Sequence, residues 1–202
     1  MAKNTSLPLN QDRIVEAAVR LLARDGFEQF NMRGLAAELG VATGAVYRHS
    51  GGKENILALS ADRILSGVSL AGSDEDWRAA LASNAMAYRE LFARYPGVAA
   101  YLTIHLGKTP VRQEAIQHSI GILRRAGQTQ SQAKRTAEVL NAFIRASAGN
   151  GDVLPQTRAG RSSRKHRKQS LSLSDASFQH GLSLLIAGIE ASITSDNTSK
   201  SP

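Results

Sequence analysis

The sequence has no cysteine, so neither a disulfide nor a cysteine-ligated metal is available to it. Its first eight residues lack the basic-then-apolar pattern of a secretory signal. No run approaches the roughly 18 apolar residues that a membrane span needs. These absences predict a soluble cytoplasmic protein with no membrane partner. Catalytic signatures are missing too. His49, His105, His118, His166 and His180 show no metal-ligand spacing, and Gly51-Gly52-Lys53 is followed by Glu54 without the upstream glycine of a phosphate loop. No Gly-x-Ser-x-Gly elbow occurs. The residues therefore point away from an enzyme, and they imply no cofactor.

What the chain does have is helical periodicity along almost all of its 202 residues, enough to bury a proper core. Ile14, Ala17, Ala18, Leu21 and Leu22 mark a first helix over about 11–25 that ends at Gly26. Shorter helices are predicted over 32–39 and 43–49, and a longer one from Lys53 carries Ile56, Leu57, Ile64 and Leu65. Further helices are expected over about 74–94, 98–106, 110–126 and 131–148. Residues 149–173 have the composition of a disordered loop. A last helix resumes near Ser174, with Phe178, Leu182, Leu185, Ile189 and Ile193 at helical period. Gly181 and Gly188 lie seven apart on its neighbouring edge. Because each glycine weakens a helix, they predict a close helix-to-helix approach, between subunits rather than within one.

The most constraining stretch runs from Asn31 to His49. Asn31 suits an N-cap, since its side-chain oxygen can accept from free amides of the first turn. Leu35, Ala36 and Leu39 share one face, Ala36 is small enough for a second helix to cross, and Gly40 sits where the chain must reverse. Val41 and Val46 can fold back as shared core. Thr43, Ala45, Tyr47, Arg48 and His49 then cannot all be buried. This is the layout of a helix-turn-helix whose second helix enters the major groove of DNA. On periodicity alone, an ordinary helical hairpin with a polar solvent face fits equally well.

The residue types shift that balance. Asn10 to Phe27, the Asn31–His49 segment with its turn glycine and Tyr47-x-His49 pair, and Lys53 to Leu57 together resemble the DNA-binding domain of the TetR (tetracycline repressor) family of bacterial regulators. The likeness covers Leu9 to about Leu65. In the C-terminal half, Ser177 to Glu190 is similar to the last helix of the tetracycline-repressor class, and Trp77, Asn84–Arg89 and His105–Pro110 resemble further pieces of it.

The resemblance implies an all-α fold: an N-terminal three-helix helix-turn-helix domain over 1–52, a larger helical effector-binding and dimerisation domain over 53–195, and a tail over 196–202. It implies that Thr43, Gly44 and Ala45 open the recognition helix, with Thr43 at base edges and the two small residues permitting close approach. Tyr47 and His49 would bind phosphate, Lys53 would hold the backbone, Arg33 would reach a guanine, and Arg48 would meet either phosphate or a base. Tyr47 as partial core and Arg33 as a merely solvated arginine are the alternatives.

The implied partners are double-stranded operator DNA, a second copy of the chain on a palindrome, and a small-molecule effector. The function that follows is a ligand-responsive repressor; a ligand-dependent activator and a non-enzymatic helical interaction protein are the other readings. Asn84, Tyr88, Tyr101, His105 and Thr109 are the expected effector residues, although a lone His105 can equally be packed core. The sequence departs from the class around His105-Leu106-Gly107-Lys108-Thr109-Pro110, and no acidic residue lies near Phe143–Ala148 to complete a metal shell. Both departures favour a planar or amphipathic molecule other than tetracycline.

The net charge of +8 does not itself argue for DNA. Arg158, Arg161, Arg164, Lys165, Arg167 and Lys168 supply six of those charges, while residues 1–60 carry seven basic and six acidic side chains. DNA recognition must come from placement. The basic cluster reads first as a solvated loop, then as an auxiliary nonspecific DNA contact, then as a contact with the partner's pocket mouth. As a solvated loop, its deletion leaves the salt dependence of DNA binding unchanged; a shallower slope in binding measured at several salt concentrations would show that it contacts phosphates.

Overall fold

The structure, a computed structural model, describes residues 8–72, 76–105, 109–148 and 173–198. The described residues form nine α-helices. α1 (Gln11–Asp25) starts at Asn10, whose side chain accepts from the Arg13 amide at 2.9 Å, and buries Ile14, Ala17, Ala18, Leu21 and Leu22. α2 (Met32–Leu39) starts at Asn31, which accepts from the Gly34 amide at 2.9 Å. α3 (Thr43–Ser50) and α4 (Lys53–Ser66) follow, separated by Gly51 and Gly52, both at positive φ. α4 packs against α1 on one side and α7 on another.

α5 (Trp77–Arg94) begins at Asp76, whose carboxylate accepts from the amides of Arg78 and Ala79. The expected start near residue 74 is therefore early by about one turn: Asp76 caps the helix instead of lying inside it, because its oxygens satisfy first-turn donors. α6 (Val98–Ile104) stops short of the predicted 106, since His105 at ψ 77 leaves the helical region. α7 (Pro110–Arg125) opens on proline, which suits a first helical position. α8 (Gln130–Ser147) opens on a capping box in which Thr129 and Gln132 satisfy each other's backbone amides. α9 is Asp175–Thr198. Residues 149–172, which hold most of the expected loop and all of the basic cluster, lie outside the described residues. Among the described residues no helix is long and apolar enough to cross a membrane.

One continuous core runs from Ile14 in α1 to Ile189 in α9. Two close approaches organise it. At the first, the Phe27 amide donates to the Pro96 carbonyl at 3.0 Å, joining the end of α1 to the α5–α6 turn. Gly26 and Gly97 both sit at positive φ here, and a Cβ at Gly97 would stand 3.0 Å from the Phe27 Cβ. At the second, the Phe178 ring of α9 stacks on Phe143 of α8, with centroids 5.3 Å apart and planes 9° off parallel. The Arg89 guanidinium of α5 lies over the Phe178 ring at 4.5 Å and donates to the Ser147 and Leu173 carbonyls and the Asp175 carboxylate, tying α9 to α5 and α8.

The two α9 glycines behave differently. A Cβ at Gly181 would meet Phe143 ring atoms at 2.8 Å, so this glycine serves an approach within one chain, contrary to the expectation of a contact between subunits. At Gly188 a Cβ would meet nothing. Gly181→Ala should therefore be destabilising: overpacking against the stacked ring pair costs about 1–3 kcal/mol, which outweighs the gain of about 0.5–1 kcal/mol in helix propensity. Thermal unfolding checks this, with a lowered Tm expected and an unchanged or raised Tm contradicting it.

Candidate DNA-reading head and effector cavity

The geometry of the head follows from its turn. Gly40 adopts φ 67, its amide bonds the Ala37 carbonyl at 3.1 Å, and the Val41 amide bonds the Ala36 carbonyl at 3.0 Å. This paired closure is a Schellman motif, which needs a left-handed residue that glycine supplies without strain. It turns the chain so that Val46 is fully buried among Leu35, Ala36 and α1, while Tyr47, Arg48 and His49 point outward. Tyr47 is 51 % exposed, which decides against a core role. Thr43 and Ala45 are half-buried, Gly44 is exposed with open space where a Cβ would be, and Arg33 is exposed in the first turn of α2.

Sequence reasoning passed over two residues that set the α3–α4 corner. The Asn55 amide donates to the Ser50 carbonyl at 2.6 Å, and buried Ser50 accepts from the Gly52 amide at 3.3 Å. Together they place exposed Lys53, at the start of α4, beside the end of α3. A serine before two glycines and an asparagine after them is the turn chemistry that signals such a corner.

The charges of the head are sorted by partner. Glu38 pairs with Arg20 at 3.3 Å and with Arg24 at 3.5 Å, Arg24 also pairs with Asp25, and Asp12 pairs with Arg63. The Arg24 guanidinium beside Asp25 holds that carboxyl below its usual range. Among the described residues no ion pair involves Arg33, Arg48 or Lys53. The near-neutral total thus hides acids held on the α1–α2 side and cations left unpaired around α3.

A cavity of about 240 Å³ lies in the second half, between α4, α5, α6, α7 and α8. Leu65, Phe92, Leu102, Ile116 and Ile144 make its apolar wall, and Tyr88, Arg112, Glu138, Asn141 and Arg145 bring polar groups to it. Burial pushes the Tyr88 phenol up. It pushes both arginines down from their ordinary value, and Arg145 is pushed further by the charge of Arg112.

Of the five expected effector residues, the structure brings Tyr88 to this cavity. Asn84 is buried one turn before it, with its oxygen accepting from the Ala71 amide at 2.7 Å and its amide nitrogen left without a protein partner. Tyr101 stacks between Phe27, at 5.1 Å, and His105, at 4.3 Å. His105 is exposed, and Thr109 donates to the Asp62 carboxylate of α4 at 2.6 Å. Tyr101, His105 and Thr109 thus sit at the seam between α6, α7 and the head rather than on the cavity wall. Arg112, Glu138, Asn141 and Arg145 were missed because charged residues on an amphipathic helix read as solvent-facing. Their signal lay in spacing alone: Glu138, Asn141 and Arg145 recur at three and four residues beside buried Leu140 and Ile144.

Comparison with known proteins matches both halves. Residues 14–59 match the model described as "Bacterial regulatory proteins, tetR family", and residues 71–193 match "Tetracyclin repressor-like, C-terminal domain". The HTH-type transcriptional repressor DrrR1 of Streptomyces coeruleorubidus is 40% identical over 90 residues, 44% of this chain and 33% of that protein. The class C tetracycline repressor of Escherichia coli is 27% identical over 207 residues, covering 90% of this chain and 91% of its own length. The chain thus spans a third to about half the length of the first curated relatives it matches, and nearly all of others. Among solved structures, apo ActR from Streptomyces coelicolor superposes with a TM-score of 0.70 at 25% identity, covering 92% of this chain and 98% of that one. Matched family models over both halves, the shared fold and the helix-turn-helix geometry agree: the chain belongs to the tetR family of bacterial regulatory proteins.

Proposed function

We propose that the protein is a cytoplasmic, homodimeric transcriptional repressor that holds a palindromic operator through α2 and α3 and is released from it by a small molecule bound in the cavity. The observation that carries this reading is the Gly40 turn, which buries Val46 and leaves Tyr47, Arg48 and His49 exposed and Thr43 half-exposed around α3, with Arg33 and Lys53 nearby in no ion pair among the described residues. Thr43 meets base edges, Gly44 and Ala45 permit close approach, Tyr47 and His49 meet phosphate, and Arg48 meets phosphate or a base. The N-termini of α3 and α4 carry no side-chain cap, so their first amides remain available to phosphate oxygens beside Lys53.

The second copy docks on α8 and α9. Val139 and Leu184 are large apolar side chains at 58 % and 60 % exposure, and open Gly188 lies one turn past Leu184. A ligand in the cavity touches Leu65 of α4 and Leu102 of α6. It acts on the head through two seams, the Thr109–Asp62 hydrogen bond and the Phe27–Pro96 junction. The apolar wall suits a planar or amphipathic effector, Tyr88 being the expected residue that lines it.

Footprinting over the DNA upstream of its own coding region tests the function, with a protected palindrome expected and no protection counting against it. Within that footprint, Arg33→Ala should relax preference at one operator base pair, since a bidentate arginine–guanine contact discriminates by about 1–3 kcal/mol. Uniform weakening across all sequences would refute base readout. Gly188→Trp should convert dimers to monomers in sedimentation at micromolar concentration, whereas an unchanged dimer would move the interface elsewhere.

A further inference from the structure

From the cavity wall we infer that the effector is an organic anion, an apolar ring or chain bearing one carboxylate or phenolate, and that Arg112 and Arg145 receive its charge. This rests on the reading of the cavity as the effector site and names the chemistry that fills it. Arg112 on α7 and Arg145 on α8 line the same cavity, both are partly buried, and each carries a permanent charge. Arg112 donates to the His105 carbonyl at 3.3 Å, a long contact with a neutral acceptor. Among the described residues the Arg145 guanidinium has no hydrogen bond and no ion pair. Glu138 also lines the cavity, yet it is exposed and pairs with neither arginine.

Two like charges facing one partly dry cavity repel, and each has given up water without gaining a full set of acceptors. A structural arginine in such a position ordinarily holds a carboxylate or several carbonyls, as Arg89 does with Asp175 and two carbonyls in this chain. An incoming carboxylate supplies the missing acceptors, because its two oxygens match the donor fork of a guanidinium. The rest of the molecule then lies against Phe92, Leu102 and Ile116. A cationic ligand, or a metal complex with net positive charge, meets repulsion at the same wall.

Matched probes separate charge from shape. Calorimetric titration of the full chain with 2-naphthoate and with its neutral counterpart 2-naphthamide should show the acid binding about tenfold or more tightly, the margin expected for a charge-assisted pair. Arg145→Gln and Arg112→Gln should each abolish that margin, bringing acid and amide to equal affinity. Equal binding of acid and amide to the unaltered chain, no binding of the acid, or a margin that survives both substitutions overturns the inference. The comparison on the unaltered chain decides even if a variant fails to fold. Ala115→Phe, which fills the cavity, tests the underlying reading. If acid and amide bind equally and both are lost in this variant, the cavity remains the effector site and the anion assignment falls. If either probe binds Ala115→Phe as before, the cavity reading fails and carries the inference with it.

Discussion

A backbone hydrogen bond between Phe27 and Pro96 joins the DNA-reading half of the molecule to its ligand-binding half. It forms because Gly26 and Gly97 let two chains meet at a distance where side chains would collide. Phe27 then lies against Tyr101, so one side chain belongs to the packing of both halves. Without that approach the three head helices would be linked to the rest through α4 alone. With it, α1 and α4 both touch the body, and both pack against α3.

The head was legible in the sequence because its determinants are local. Asn10 and Asn31 cap helices within three residues of themselves, and the Gly40 turn closes by bonds from Gly40 to Ala37 and from Val41 to Ala36. The cavity was much less so. Its polar wall combines Arg112 with Arg145, residues separated by a whole helix and a turn, and no local pattern says which face of α8 meets α7. The same limit explains Asn84, Tyr101 and Thr109. Each was expected to be a ligand contact from the resemblance alone, which says nothing of the partners the fold gives them: the Ala71 amide for Asn84, Phe27 for Tyr101 and Asp62 for Thr109. Gly181 failed in a similar way: its spacing announced a close approach, but only the position of Phe143 tells that the approach is within one chain.

Charge works by arrangement in both halves. In the head, acids on α1 and α2 hold Arg20 and Arg24 in surface pairs of little energetic weight. In the body, Arg112 and Arg145 face a cavity whose one acid, Glu138, pairs with neither of them among the described residues. A count of basic residues sees no difference between Arg20 and Arg145.

α8 has no idle side. Glu138, Asn141 and Arg145 face the cavity, Leu140 and Ile144 are core, and Val139, Ala142 and Ala146 are exposed beside α9. On the proposed function, ligand and second copy both bear on α8, so any difference in effector affinity between monomer and dimer is matched by an equal effect of effector on dimerisation. In that case the apparent affinity for effector varies with the concentration of the protein itself, and copy number helps set the dose at which the regulator responds.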